Sequence, residues 1–545
     1  MQSIEVVLAM LLALVGSSYL VRVLPFSLPL PLVQVGLGAL IAALTGRSVR
    51  LDPEIFFLLF LPPLLFLDGW HIPKEGLLRD RRIVLQLAFG LVVFTVLGAG
   101  FLIHWMIPAM PLPVAFALAA IVSPTDPVAV SAIAARVPIP KRLMHILEGE
   151  SLLNDASGLV CFRFAVAAAL TGSFSLLSAS LTFLWVALAG LAVGVGFTWG
   201  IALAQRGLSR RFGEESGSSI LVNLLVPFGA YMLAEHLRAS GILAAVAAGI
   251  SMSYVELSGR ALATTRVHRA VVWDTIQFAL NGIVFVLLGE QLPGILQGAV
   301  GAMRESGRGS PWWLAAYALA INLALALLRL AWVWTTLRLS LFKSRLRGEP
   351  VERPPWRLVL ATALAGVRGT ITLAGVLTLP LTLADGTPFP ARNLAVFLAM
   401  AVILVSLLGA SLGLPRLLRG LRLPDEPAER READTALREA AAAAIAAVEQ
   451  AQHALSEKSP ADADVYTNAA ARVMANYQRR LDGGKPGNIA AEELRKADAA
   501  ELTLRLTALQ AEREEIFRLA RRRRISDETA RKLVREIDLL EERHT

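Results

Sequence analysis

Runs of about twenty apolar residues recur through the first 420 positions of this chain, each long enough to cross the hydrocarbon core of a bilayer. Lipid cannot satisfy a bare N–H or C=O, so a spanning run of this length closes its own hydrogen bonds as an α-helix. The runs place spans near 3–23, 28–45, 54–68, 83–107, 113–135, 143–171, 180–205, 218–236, 239–256, 271–292, 311–340, 356–383 and 391–418. The fold class expected is an all-α polytopic membrane protein of about 13 transmembrane helices, with its termini on opposite sides. The chain begins M-Q-S-I-E with no Lys or Arg before Arg22, so the first run reads as a retained span and not a cleaved signal.

Charge assigns the sides and the domain boundary. With the N-terminus outside, inside loops hold nineteen Lys and Arg against six in outside loops, the bias of cytoplasmic loops. The expectation is a multi-pass protein of the inner (plasma) membrane with a cytoplasmic tail. Residues 1–424 hold 32 Lys+Arg and 20 Asp+Glu, whereas residues 425–545 hold 21 and 24. The basic balance therefore belongs to loops beside the lipid bilayer and leaves no nucleic-acid footprint. This shift divides the chain into a 1–423 transmembrane domain and a 424–545 cytoplasmic helical domain for regulation or assembly, linked by Leu423–Pro427. Tail helices are expected near 428–456 and 462–481, then a break at Asp482–Gly487. Beyond it, Leu502, Leu506, Leu509 and Ile516 share one helical face, as do Leu533, Ile537 and Leu540. The arginines 521–524 read as a solvated face.

Cys161 is the single cysteine, which excludes an intrachain disulfide and a cysteine metal cluster. The histidines, at 71, 104, 145, 236, 268, 453 and 544, are scattered and give no ligand spacing. No enzyme chemistry and no cofactor is expected.

The chemistry concentrates at 121–158, where I-V-S-P-T-D-P-V-A-V is followed by L-E-G-E-S-L-L-N-D-A-S-G. An ionisable side chain within a membrane span costs at least ~2.5–3.5 kcal/mol on insertion scales, so each one is a functional hypothesis. Asp126 lies near the middle of its span, between Pro124 and Pro127. Each proline removes an N–H donor and turns its predecessor away from helical angles, so the segment is expected to unwind. Unwound backbone at membrane depth must be buried in protein or line a wet cavity. The carbonyls freed around Ser123 and Thr125 are then placed to ligate a cation. A simple proline kink would not account for the aspartate between the prolines.

Asp155 lies near the middle of the next span, with Ser151 four residues earlier on the same face and Glu150 and Asn154 on the adjoining stripe. Carboxylate, hydroxyl, amide and carbonyl oxygens are hard ligands that suit Na⁺. Glu148 is expected only at the entrance. Arg368, in A-G-V-R-G-T-I-T-L-A-G, lies deep in its span and needs an acid, and Glu150 is the expected partner. Arg163 and Arg329 also fall inside spans, without an identifiable partner. Glycines 366, 369 and 375 suggest a second irregular helix crossing the first, a transporter site pattern.

A carboxylate deprived of water favours its protonated form, and a cation entering the site favours the ionised form and displaces the proton. One carboxylate taking either ligand gives obligatory exchange. Asn154 supplies no second carboxylate, which favours one-for-one, electroneutral exchange. A sodium-coupled solute symporter would need a roomier, more polar pocket. A membrane aspartyl protease would want a G-x-G-D motif, which is missing here.

These residues resemble the monovalent cation/proton antiporter family, specifically the NhaP-like electroneutral sodium/proton exchangers of prokaryotes. The resemblance rests on S-P-T-D-P at 123–127, E-G-E-S-L-L-N-D at 148–155 and G-V-R-G-T at 366–370. It implies two inverted repeats, a dimerisation domain and a moving core, and a homodimer exchanging Na⁺, Li⁺ or K⁺ for protons. It also implies ion ligation by Asp126, Asp155, Ser151 and the Thr125 carbonyl, with Asn154 beside the essential aspartate and Glu150–Arg368 as a buried ion pair. Some relatives place a glutamate directly after a P-L-L-F run, where this chain has Leu67 and then Asp68. One residue rotates a side chain by about 100° on a helix, so Asp68 is expected to be a polar residue near the cytoplasmic end and not a ligand. Glu290 similarly reads as an extracellular helix-end acid.

Overall fold

The computed structural model describes residues 2–23, 28–45, 53–72, 81–126, 130, 141–171, 176–213, 215–257, 263–305, 312–346, 355–383, 386–419, 427–482, 489–522, 524–525 and 527–542. Pro127, the linker positions 423–426, the break at 483–487, Arg523 and His544 lie outside these residues. The chain divides into two compact units, Met1–Leu421 and Arg422–Thr545.

In the first unit the helices fall on the apolar runs: α1 Gln2–Val23, α2 Leu30–Thr45, α3 Pro53–His71, α4 from Arg81 to Met106, α5 Leu112–Val122, α6 Lys141–Thr171 and α7 Leu176–Phe212. They continue with α8 Ser216–His236, α9 Gly241–Leu257, α10 Ala263–Glu305, α11 Trp312–Leu346, α12 Trp356–Leu364, α13 Thr370–Leu377 and α14 Arg392–Leu418. Among the described residues seven helices are long and apolar enough to cross a membrane. Several outrun the expected spans; α10 covers 43 residues where hydropathy marks 271–292. Hydropathy sees only the apolar middle of a helix, and α10 continues helical beyond it at both ends, through Pro293 on one side.

Three of the expected spans depart from regular helix. α5 ends at Val122, and residues 123–126 are non-helical, at the expected proline-induced lesion. The run at 356–383 is not one helix. α12 and α13 flank a non-helical Ala365–Gly369, and the chain after α13 turns back through a bridge between Thr382 and Pro388. α4 contains a π-helical turn at Gln86–Leu91, where the Ser157 hydroxyl of α6 donates to Ala88 O at 2.6 Å. A π turn disturbs the regular ladder, and the serine gives its carbonyl a partner.

Helices in lipid gain little from hydrophobic exclusion, so close backbone approach at small residues holds them together. α3 and α9 meet through such a pair: a side chain on Gly69 would strike Val246 O, and one on Gly249 would strike Phe66 O. α2 and α10 interlock likewise, Gly38 against Val286 O and Gly289 against Val35 O. The main core runs through α1–α6, α9–α11, α13 and α14 and includes Leu65, Ile121, Leu152, Val286 and Leu398.

The second unit consists of α15 (Pro427–Lys458), α16 (Ala463–Asp482), α17 (Ile489–Arg521) and α18 (Asp527–Glu542). Its core is narrower than the apolar pattern suggests. Ile516, Ala530 and Ile537 are buried, while Leu502, Leu533 and Leu540 remain exposed. Arg513 of α17 pairs with Asp538 at 3.0 Å and with Glu541, both on α18.

Gly249→Leu should overpack the α3–α9 contact by about 1–3 kcal/mol and lower the melting temperature of the detergent-solubilised protein. Gly196→Leu, where nothing lies within 4 Å, is the control and should leave it unchanged.

A candidate cation site where two broken helices meet

The non-helical end of α5 and the α12–α13 break touch. The Asp126 N–H donates to Val367 O at 2.7 Å, and Arg368 Nε donates to Val122 O at 2.9 Å. A second arm of the Arg368 guanidinium donates to Gly366 O, and the Arg368 N–H donates to Ser406 Oγ at 3.2 Å. Arg368 thus puts a positive charge on carbonyls at the C-terminal ends of α5 and α12, where the helix dipole is negative. Asp126 takes the opposite position. Its carboxylate packs on Gly369, immediately before α13, so closely that any Cβ there would collide with it. A negative group at that helix N-terminus is stabilised by the exposed N–H groups.

α6 lies alongside. Ser151 Oγ donates to Thr125 O at 2.6 Å, and Asn154 Nδ2 donates to Thr125 Oγ1 at 3.0 Å. Thr125 Oγ1 in turn donates to Glu150 Oε1 at 3.4 Å. Threonine 125 is therefore held on three sides, which fixes the unwound turn that carries Asp126. Among the described residues Ser123 Oγ and Asn154 Oδ1 are buried without a hydrogen-bond partner.

A small, partly open cavity lies against this junction. One wall is Pro124, Thr125, Asp126, Ser151, Asp155 and the start of α13 with Gly369 and Thr372; the other is Leu64 and Asp68 of α3 with Gln277 and Asn281 of α10. Among the described residues no three His, Cys, Asp or Glu side chains converge as a metal cluster. Any ion held here would draw on mixed oxygens of carboxylate, hydroxyl, amide and backbone. Three carboxylates around one small space repel one another when all are ionised, and a proton or a cation removes that repulsion.

The structure brings Asp126, Asp155, Ser151 and Thr125 together at the cavity. Asn154 does not line it and acts through Thr125. The expected Glu150–Arg368 pair is corrected: the Glu150 carboxylate is taken by Arg329 of α11, whose NH1 and NH2 donate to Oε1 and Oε2, the latter at 2.8 Å. Arg329 Nε also donates to Thr362 O at 3.0 Å. Both side chains are buried, Glu150 completely and Arg329 to 2% exposure, so the guanidinium is the counter-charge that burial demands. Arg368 is instead engaged by carbonyls that the breaks expose, partners that spacing alone does not reveal.

Three further expectations change. Asp68 lines the cavity, because the face of α3 that carries it is turned to the junction of the broken helices. Glu290 is buried within α10 and not at a helix end. Arg163 pairs with Glu235 at 3.2 Å across to α8, both half-exposed. Gln277 and Asn281 were missed, although two amides four residues apart in an apolar run are a legible stripe.

Arg329→Leu leaves Glu150 buried without its cation, with an expected cost of about 3–5 kcal/mol. Thermal unfolding in detergent should show a large drop, most of it recovered in the double variant Glu150→Leu/Arg329→Leu. An unshifted single variant would refute the pairing.

Comparison with known proteins places the whole arrangement. Residues 7–420 match the family model described as sodium/hydrogen exchanger, transmembrane. The chain is 42% identical over 542 residues to an uncharacterized Na(+)/H(+) exchanger of Escherichia coli (strain K12), covering 98% of this chain and 97% of that one. It is 45% identical over 418 residues to a sodium, potassium, lithium and rubidium/H(+) antiporter of Bacillus pumilus (strain SAFR-032), covering 76% of this chain and 61% of the relative. The fold matches the sodium proton antiporter MjNhaP1 from Methanocaldococcus jannaschii at pH 8, with TM-score 0.58 and 19% identity over 77% of this chain and 99% of that one. An all-helical, multi-pass chain with acidic side chains around the junction of two interrupted helices, matched over this length, belongs to the sodium/hydrogen exchanger family.

Proposed function

We propose that this chain exchanges Na⁺, or Li⁺ or K⁺ in its place, for H⁺ across the cytoplasmic membrane, one for one, with Asp155 and Asp126 taking either the cation or the proton. The observation that carries this reading is the cavity onto which Asp126, Asp155, Ser151 and Thr125 open together. A cation on these oxygens favours the ionised carboxylate; its departure lets a proton take its place. Neutralised by either ligand, the site can pass through the apolar interior, and empty and charged it cannot. That asymmetry makes exchange obligatory. Asn154, whose amide is turned to Thr125, brings no second proton carrier beside Asp155, which favours an electroneutral cycle.

The cavity lies between two walls, one built on α5, α6 and α13 and the other on α3 and α10. Relative displacement of these walls would open the site to alternate sides. The loop charges set the N-terminus outside and the tail in the cytoplasm, where the tail regulates or assembles a homodimer. The Bacillus relative, named for four alkali cations, supports a cation range wider than Na⁺.

The test is reconstitution into vesicles with a trapped pH dye. Alkali cation should evoke recovery of an imposed pH gradient, insensitive to membrane voltage. Asp155→Ala should abolish the response, and a variant that still exchanges would remove Asp155 from the carrier role.

A further inference from the structure

Two polar cavity-lining residues of α10 remain without a role. Between Thr275 and Glu290, α10 carries only two polar side chains, Gln277 and Asn281. A polar group in an apolar membrane helix is unfavourable unless it is used. They are four residues apart, share one helical face, and both line the wall facing Asp126 and Asp155. Among the described residues neither amide is engaged in a hydrogen bond. Trp273, four residues earlier on the same stripe, is buried and donates to Asn223 Oδ1 at 2.8 Å, which fixes that end of the face.

We infer that Gln277 and Asn281 are the residues that set which alkali cation the cavity takes. The inference rests on the exchange function proposed above. The two walls divide the task. Asp126 and Asp155 supply charge, which attracts any monovalent cation and binds a small one most strongly. Gln277 and Asn281 supply neutral amide oxygens, which lower the field at the ion and extend the site to a larger radius. Their seat is rigid: α10 meets α2 backbone to backbone at Gly38 and Gly289, and Gly282 lies against Leu14 and Gln34. An oxygen that cannot follow the ion discriminates by size. The amides thus favour K⁺ over what the carboxylates alone would give.

The test uses the full chain in proteoliposomes, with Li⁺, Na⁺ and K⁺ offered separately and KM and maximal rate measured for each. Gln277→Leu and Asn281→Leu keep the side-chain volume and remove the oxygen. Loss of one polar contact corresponds to about a tenfold change in affinity. KM for K⁺ should rise about tenfold relative to KM for Li⁺, and by more than the maximal rate falls. Gln277→Asn and Asn281→Gln, which retain an amide but shift its oxygen, should exchange all three ions with an altered K⁺/Li⁺ ratio. They decide the matter if the leucine variants do not fold. Phe278→Leu, on the exposed side of α10, should leave the ratio unchanged. A wild-type chain that exchanges while no variant changes the K⁺/Li⁺ ratio overturns this inference alone. A wild-type chain that moves no protons with any alkali cation overturns it together with the proposed function.

Discussion

Two lesions in the helical ladder repair each other, and the rest of the transport domain is arranged to keep them in contact. Asp126 N–H finds Val367 O, and Arg368 Nε finds Val122 O, so each break satisfies a backbone group exposed at the other. In lipid no water can perform that service, and an orphaned donor or acceptor costs several kcal/mol. The exchange of charges follows the same logic: Arg368 from the second break sits on the C-terminal end of α5, and Asp126 from the first sits at the N-terminus of α13. Neither broken segment is a tolerable structure by itself. Together they hold a carboxylate and unwound backbone at a fixed place inside an apolar fold.

The buried charges are sorted by position. Glu150 and Arg329 form a pair turned away from the cavity, and Glu150 also receives the Thr125 hydroxyl, so the pair steadies the turn that carries Asp126. Asp68, Asp126 and Asp155 face the cavity, where a mobile cation or proton can serve as counter-charge. Glu150 is answered by a fixed guanidinium, whereas the acids at the cavity share one small space with each other.

The wall opposite Asp126 and Asp155 is rigid for a different reason. Glycines bring the backbones of α3 and α9, and of α2 and α10, into direct contact, leaving no slack for sliding between them. Asp68 lies near the end of a helix clamped in this way, and Gln277 and Asn281 lie on another. The cavity is therefore bounded on one side by unwound, hydrogen-bonded backbone and on the other by tightly seated helices.

The sequence alone determined the helical class, the place of most helices and the lesion at 123–126, because twenty-residue apolar runs and paired prolines act locally. It also marked Asp126, Asp155, Ser151 and Thr125, because acids and hydroxyls at helical spacing are too costly in an apolar run to be there without a use. It did not determine which cation answers Glu150. Both Arg329 and Arg368 are buried cations within spans, and the choice depends on where α11 and the α12–α13 break lie in space. Nor did it place Asp68, Gln277 and Asn281 at the site, since which faces of α3 and α10 line the cavity depends on how those helices pack. Local pattern fixes what a segment is. Which segments face one another, and so which charges meet, is settled only when the whole set of helices packs at once.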